Sequence, residues 1–462
     1  MLALELAALI GLAACGGTPA TTPPAEAEPT PSTQGTSASP TATASPTPEA
    51  TASPAIEAPE EGRMVQALVN DLRIRREPAT DAETIGALHF GQQAATTGES
   101  QEVDGRVWLE VRQEPIGISG WVVATDADGS TWLAEVDDGV LAVVAPGPDA
   151  DVLLVDPGGE DVRQATEGVT ITDVAFAPDG RQLAVLDPFR GPIVLNPEDG
   201  GTTPTPTPAP ADPQLGPPAM TGLAWSADGG ALVYLVGQNF LQVTLASATG
   251  ATPPTIGELT TLFPVSWSPD GQWLAASQII GGTETEAGDW EIVRLRVGGT
   301  DVEALTADLA AGVSPAWSPD GSAIAYLGAD DPLTSTLLVM DESGGDPRPL
   351  LTFDGAAESL AAPSWSPDGT RIAVAQQMTG SPAAIHLVDV LGGGHTTVTV
   401  SDHESCGDLT WSPTGRRIAA VCGVPADQPP RDVVIASADG REAERLIAGT
   451  RVDWARELRV SP

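Results

Sequence analysis

Lysine is missing from this sequence: all 21 basic residues are arginine, and they stand against 63 aspartates and glutamates. The formal net charge of −42 at pH 7 produces a field that repels nucleic-acid phosphates and anionic lipid surfaces. We therefore expect no nucleic-acid partner. Because a large charge of one sign favours solubility over self-association, we also expect a monomer.

Long apolar segments are scarce as well, since the only sustained apolar run covers residues 2–14. It is too short to cross a hydrocarbon core of about 30 Å as a helix, but it suits the apolar region of a signal peptide. The run ends in Leu12-Ala13-Ala14-Cys15, which resembles the signal of bacterial lipoproteins. That resemblance implies a signal peptide over residues 1–14 and an acylated Cys15, hence an extracytoplasmic protein held to the membrane by lipid alone.

Catalytic motifs are lacking too. The 4 histidines and 3 cysteines are too few and too scattered for a convincing metal cluster. His403-Glu404 begins like a zinc-protease motif, but Gly407 stands where the second histidine is needed. Neither a Gly-x-Ser-x-Gly turn nor a glycine-rich phosphate loop occurs. We therefore predict a binding protein without a cofactor rather than an enzyme.

One incomplete calcium-loop pattern is present. Asp126, Asp128, Gly129 and Glu135 match its later ligand and turn positions, but Ala124 occupies the first ligand position. Loss of that first carboxylate weakens calcium binding greatly. An ordinary Asp-Gly turn between two domains is the preferred interpretation.

Residues 15–62 consist mainly of threonine, proline, serine, alanine and glutamate. Such a segment cannot bury an apolar face, so we predict a disordered linker. Proline-rich chain extends by about 3.1 Å per residue, and this linker could therefore reach on the order of 140 Å from a membrane.

Short alternating apolar stretches over residues 63–126 predict a small all-β barrel. Leu72-Arg73-Ile74-Arg75, Thr84-Ile85-Gly86-Ala87-Leu88 and Gly120-Trp121-Val122 follow one another in an order that resembles the bacterial Src-homology-3 (SH3) family. The resemblance implies binding of a cell-wall peptide, another peptide or a neighbouring domain. Arg75, Trp108 and Trp121 are the candidate peptide-binding side chains. The alternative is that both tryptophans belong to the barrel core.

The remaining chain, residues 131–462, repeats a pattern in which an apolar strand ends in an aromatic residue and a turn leads to a second apolar strand. Trp365-Ser366-Pro367-Asp368-Gly369 is one of three complete copies of the turn. Proline fixes φ in such a turn, aspartate favours it, and glycine supplies the left-handed residue. The aromatic anchors, which we expect to pack between neighbouring repeats, are Phe176, Trp225, Trp267, Trp317, Trp365, Trp411 and Trp454.

A period near 46 residues with several short strands is typical of a β-propeller blade. The motif resembles the repeats of TolB-like propellers. Seven aromatic-anchored first strands and seven second strands can be counted if the strand at Trp454 joins the one at Leu141–Val144. We therefore predict an all-β protein, a small barrel followed by a propeller, with seven blades favoured over six. The proline-rich segment 203–218 is expected to be a surface loop.

Cys406 and Cys422 flank the sixth of these turns. Folding the chain about that turn places them opposite each other on paired strands, where Cα atoms lie about 4.5–5.5 Å apart. We predict a disulfide, which an exported location permits. Free buried thiols are the alternative.

Three functions fit this architecture, and fold alone does not choose between them. The first is a tethered scaffold whose small module holds cell-wall peptide while the propeller binds an envelope protein. The second is a hydrolase or lyase with its site in the propeller channel. The third is a ligand-binding sensor subunit. We favour the first because no catalytic constellation emerges from the sequence.

Overall fold

The structure is a computed structural model that describes residues 60–113, 117–147, 150–204, 220–236, 239–244, 255–258, 261–280, 289–298, 302–306, 312–331, 334–354, 360–377, 381–423 and 431–459. Regular secondary structure in these residues consists of the strands β1–β34. Among them, no helix has the length and apolar character needed to cross a membrane. Cys15, the predicted signal peptide and nearly all of the predicted linker lie outside the described residues.

Six antiparallel four-stranded sheets follow one another along the chain, each with its strands in sequence order. The first three are β10–β13 (Asp173–Phe176, Leu183–Asp187, Gly191–Leu195, Thr202–Pro204), β14–β17 (Met220–Trp225, Ala231–Val236, Asn239–Thr244, Thr255–Glu258) and β18–β21 (Thr261–Trp267, Trp273–Ile280, Asp289–Arg296, Val302–Ala304). The next three are β22–β25 (Gly312–Trp317, Ala323–Asp331, Thr334–Asp341, Arg348–Asp354), β26–β29 (Ser364–Trp365, Arg371–Gln376, Ala383–Asp389, His395–Val400) and β30–β33 (Ser405–Trp411, Arg417–Gly423, Arg431–Ser437, Ala443–Ala448). The repeat therefore forms an all-β propeller. The predicted surface loop at 203–218 begins in β13, and its remainder lies outside the described residues.

A ten-stranded sheet contains the other strands, in the order β3-β2-β6-β5-β4-β1-β7-β8-β9, with β34 also paired to β7. We call β1–β6 the N-terminal module. Its strands are β1 (Met64–Ala67), β2 (Leu72–Arg75), β3 (Thr84–Leu88), β4 (Gln93–Val103), β5 (Arg106–Gln113) and β6 (Ile118–Thr125). The strands that complete the sheet are β7 (Leu133–Val144), β8 (Val152–Val155), β9 (Val162–Gln164) and β34 (Arg451–Arg459).

Strand β7 belongs to both halves of the molecule. Its first residues pair with β1, where Val65 lies opposite Glu135. Its last residues pair with β8, and along most of its length it also pairs with β34, where Leu141 lies opposite Trp454. The predicted joining of the first and last repeat strands is thereby confirmed. One continuous backbone ladder connects the N-terminal module to the propeller.

The contacts within the repeated turn account for its serine, aspartate and glycine. In the fifth of the six sheets, the Ser366 hydroxyl donates to Asp368 Oδ1 at 2.6 Å and accepts the Arg371 amide at 2.9 Å. The glycine that follows, Gly369, has φ of 71°, a left-handed conformation that costs glycine little. Serine and aspartate thus satisfy backbone groups of the turn, and the buried strand after it continues the core.

The aromatic anchors pack between neighbouring sheets, as predicted. The Trp225 indole N–H donates to Ala175 O of the preceding sheet at 2.8 Å, and the Trp411 indole donates to Ser364 O at 2.9 Å. Each bond satisfies a buried polar group while the ring fills the space between sheets. The core is therefore a series of intersheet clusters, of which one contains Trp411, Ile385 and Ile418.

Cys406 and Cys422 lie directly opposite each other in the β30–β31 pair. Their Cα atoms are 4.1 Å apart, and the two residues form a disulfide in this structure. The bond links the innermost strand of the sheet to its neighbour, so the crosslink reinforces a ladder that the backbone already makes.

Candidate functional site

The three predicted peptide-binding residues do not form one surface. Trp108 is only 1% exposed. The prediction that it lines an open peptide groove is therefore wrong, and Trp108 belongs to the barrel core, as the alternative stated. Arg75 and Trp121 are partly exposed and lie opposite each other across β2 and β6. The Arg75 guanidinium donates to Ala82 O at 2.7 Å, which anchors it to the loop before β3. Only Arg75 and Trp121 remain as candidates.

The predicted calcium ligands do not converge either. Asp126 pairs with Arg106 at 2.6 Å, whereas Glu135 pairs with Arg63 at 3.0 Å. Asp128 accepts the Ser130 amide at 2.9 Å within the turn. Within the described part of the chain, no three His, Cys, Asp or Glu side chains come together as a metal site. The Asp-Gly turn is therefore the interpretation that fits.

A chamber of about 460 Å³ lies where the first strands of the propeller sheets end in their aromatic anchors. The loop Phe90–Gln93, between β3 and β4 of the N-terminal module, lies over it, and the repeated turns form its rim. All seven predicted anchors contribute to its wall, namely Phe176, Trp225, Trp267, Trp317, Trp365, Trp411 and Trp454.

Polar contacts fix the loop over this chamber. The Gln92 side-chain amide donates to Pro319 O at 2.9 Å, and the neighbouring Gln66 amide donates to Pro178 O at 3.3 Å. A Cβ at Gly91 would lie 3.1 Å from Ala227 O, and the φ of Gly91 is 82°. Glycine is therefore required where the loop passes closest to the propeller. The N-terminal module is thus fixed against the face that carries the repeated turns.

Asp453 lies in the chamber wall. Its carboxylate accepts the Phe176 amide at 2.7 Å and the Thr410 hydroxyl at 3.3 Å. Burial raises its pKa to about 6 against these two stabilising hydrogen bonds. Among the described residues, no arginine or histidine forms an ion pair with it.

A second group of carboxylates lies at the start of the innermost strands, where Arg451 stands between Asp173 and Asp408. The guanidinium is 3.8 Å from Asp173 Oδ1 and 3.5 Å from Asp408 Oδ1. Burial, together with the charge of Asp408, raises the pKa of Asp173 to about 7 despite the arginine. Asp408 has φ of 53° beside a β-bulge, a conformation that aspartate tolerates. Its Oδ2 accepts the Val452 amide at 3.3 Å, so the pair connects neighbouring sheets.

The family model of PD40, the TolB β-propeller domain, matches residues 217–453. This match covers just over half of the chain's 462 residues. The chain belongs to the TolB β-propeller domain family. Comparison with curated proteins gives no significant match.

Similar solved structures include TolB from Acinetobacter baumannii, at 17% identity and a TM-score of 0.42, covering 77% of this chain and 81% of that one. Oligogalacturonate lyase from Vibrio parahaemolyticus is similar at 14% identity and a TM-score of 0.47, covering 68% of this chain and 86% of that one.

Sequence reasoning missed the three aspartates described above. A signal for part of them exists, because Asp173 and Asp408 each stand three residues before an aromatic anchor. Asp453 stands directly before its anchor and reaches the chamber. Nothing in the sequence indicates that the loop Phe90–Gln93 covers the channel, since that contact joins segments far apart in the chain.

Proposed function

We propose that this protein is a lipid-anchored binding protein of the cell envelope, in which an SH3-like module and a seven-bladed TolB-type propeller act as one rigid scaffold. Membership of the TolB propeller family is the observation that carries the proposal. The seven-blade count rests on six separate sheets together with the set β34-β7-β8-β9. The SH3-like assignment rests on the sequence resemblance of residues 63–126.

The face of the propeller that binds a protein partner is, in this proposal, the one remote from the N-terminal module. The repeated turns join the first and second strands of each sheet, and they rim the covered chamber. Turns between second and third strands of an antiparallel sheet fall at the opposite end. Phe189 lies in such a turn, between β11 and β12, and is 61% exposed. An exposed aromatic side chain is a common anchor of protein interfaces.

Two variants of matched character test this face. Phe189→Asp and Val162→Asp each place a charge on an exposed apolar residue, since Val162 is 50% exposed on the outer strand β9. Partners crosslinked to the wild-type protein in intact envelopes should be lost with the Phe189 variant and retained with the Val162 variant. Equal retention by both variants contradicts the proposed face.

The N-terminal module is proposed to bind cell-wall peptide through Arg75 and Trp121. Strands β2 and β6 are separated from β7 by at least three strands in the order of the sheet, and neither residue pairs with the shared strand. Binding to purified sacculi should fall about tenfold with Trp121→Ala. Because β7 pairs with strands of both the N-terminal module and the propeller, this test uses the intact soluble chain rather than the isolated module. Retention of full binding by the variant rules out this groove.

Lipid anchoring at Cys15 is tested in a bacterial host with the full sequence. Cys15→Ser should move the protein from the membrane fraction to the soluble fraction and abolish labelling by a palmitate analogue. The double variant Cys406→Ser with Cys422→Ser is the matched control and should remain in the membrane fraction. A membrane-bound Cys15 variant contradicts the anchor.

A further inference from the structure

The chamber under the loop Phe90–Gln93 has an unusual combination of walls. Six tryptophans and Phe176 surround it, and the polar atoms come mostly from serine, threonine and glutamine. At about 460 Å³, it falls within the range of about 300–1,000 Å³ that small-molecule sites occupy. Its size and walls are those of a site for one small molecule rather than for a folded partner.

Asp453 is the single charged side chain among the described residues that line this chamber. Its hydrogen-bond donors, the Phe176 amide and the Thr410 hydroxyl, are both neutral. A half-buried carboxylate without a cation loses part of its hydration, and hydrogen bonds replace only some of it. An anionic ligand would increase that cost, whereas a cation would remove it.

The aromatic walls favour an organic cation over a metal ion. Tryptophan is the side chain whose ring attracts cations most strongly, and the attraction grows when water is excluded. A metal ion needs several oxygen or nitrogen ligands in a defined geometry. Asp453 supplies one carboxylate, and the described residues contain no cluster of three candidate ligands. An alkylammonium group needs only a nearby carboxylate and apolar surroundings.

We infer that the chamber between the N-terminal module and the propeller is a binding site for a small organic cation, with its ammonium group near Asp453 and its alkyl groups against the tryptophans. This site is distinct from the protein-binding face and does not depend on it. The net charge of −42 assists capture, since the field of the protein concentrates cations near its surface.

Phe90 lines the chamber and also a second cavity of about 280 Å³ between Asn70 and the turns of two sheets. Trp267 and Pro269 line both cavities as well. The two cavities are therefore neighbours that share the Phe90 side chain.

The experiment uses choline and its carbon isostere, in which a tert-butyl group replaces the trimethylammonium group. Both are titrated by calorimetry into the full-length protein carrying Cys15→Ser, at constant ionic strength. Choline should bind about tenfold more tightly than the isostere, because only choline compensates the carboxylate. Equal binding of the two compounds, or no binding of choline, overturns the inference.

Two variants locate the site. Asp453→Asn keeps a carbonyl acceptor for the Phe176 amide but removes the charge, and it should weaken choline binding about tenfold. Asp128→Asn, in the exposed turn, is the matched control and should leave binding unchanged. If Asp453→Asn binds choline like the wild-type protein, the ligand does not use the chamber.

Trp317→Phe provides a second test should Asp453→Asn fold poorly. The Trp317 indole N–H has no hydrogen-bond partner in the described structure, so phenylalanine breaks no bond there. Because phenylalanine attracts cations less strongly than tryptophan, choline affinity should fall about threefold while isostere affinity stays the same. A parallel loss for both compounds indicates an apolar pocket without cation selectivity and overturns the inference.

Discussion

The two groups of half-buried aspartates differ in the charge that the chain places beside them. Asp173 and Asp408 share Arg451, whereas Asp453 has only neutral hydrogen-bond donors. Burial raises the pKa of all three. Both groups join neighbouring sheets, since Asp453 also accepts hydrogen bonds from Phe176 and Thr410 of two other sheets. In the first group the chain supplies the opposite charge as well, whereas Asp453 lines a chamber and has no ion-pair partner among the described residues.

Removal of Arg451 should have the largest effect on this comparison. Arg451→Met removes the ion-pair partner that Asp173 and Asp408 share, and we expect the free energy of unfolding to fall by about 2 kcal/mol at pH 8. The full value for a buried pair is not expected, because Arg451 is partly exposed. Urea denaturation provides the measurement.

Arg441→Met is the control for Arg451→Met. Arg441 pairs with Asp439 on the surface, and its loss should change the free energy of unfolding by less than about 0.5 kcal/mol. Equal losses for the two arginine variants would mean that Arg451 contributes no more than a surface ion pair.

Asp453→Asn should act in the opposite direction to Arg451→Met, because it removes an uncompensated charge instead of the partner of two charges. Burial holds the pKa of Asp453 at about 6, above its ordinary 3.8, so the folded state binds this proton more tightly than the unfolded state. The resulting stability is complete below about pH 4 and is lost as the pH rises through about 6. Relative to Asp453→Asn, the wild-type protein should lose about 1–2 kcal/mol of unfolding free energy between about pH 4 and pH 7.

The exposed residue Asp128 provides the control for the pH dependence expected of Asp453. Hydrogen bonds from Ser130 lower the pKa of Asp128, so Asp128→Asn should not reproduce the change in pH dependence. If both variants follow the wild-type curve, Asp453 is not held in the uncompensated state described above.

Gly91→Ala should have an effect no larger than that of Asp453→Asn, and it tests whether the loop limits access to the chamber. A methyl group there would meet Ala227 O at 3.1 Å on a backbone with positive φ, and we expect a loss of about 1–2 kcal/mol. Gly98→Ala is matched in φ, at 86°, but its nearest neighbour lies at 3.5 Å, in Glu61. Gly91→Ala alone should also increase quenching of tryptophan fluorescence by acrylamide. Equal quenching of both variants would mean that the loop does not limit access to the chamber.

The repeat could be predicted from the sequence because its determinants are local. Trp365, Ser366 and Gly369 fall at fixed spacing, and the turn that they form uses only residues within that spacing. The pairing of Cys406 with Cys422 could be foreseen for the same reason, since one hairpin sets their register.

The chamber could not be predicted, because it depends on contacts between distant segments. Gln92 and Pro319 are separated by 227 residues, and Phe176 and Asp453 by 277. The sequence leaves Trp108 either in a peptide groove or in the barrel core, because an aromatic residue on a short strand can face either side and only its neighbours decide which. The pairing of β7 with β1 is likewise invisible in the sequence, where a turn marks the domain boundary.

Strand β7 also has a consequence for biosynthesis. Its partner β34 is made after β8–β33, and the contact between Gly139 and Trp454 spans 315 residues. At roughly 5–20 residues per second, the ribosome needs roughly 15–60 s to make the intervening chain. During that time β7 is an unpaired edge whose Leu141 and Val143 are destined for the core, a template for wrong pairing with another nascent chain. Closure of the propeller therefore depends on protection of this edge of β7 until β34 has been synthesised.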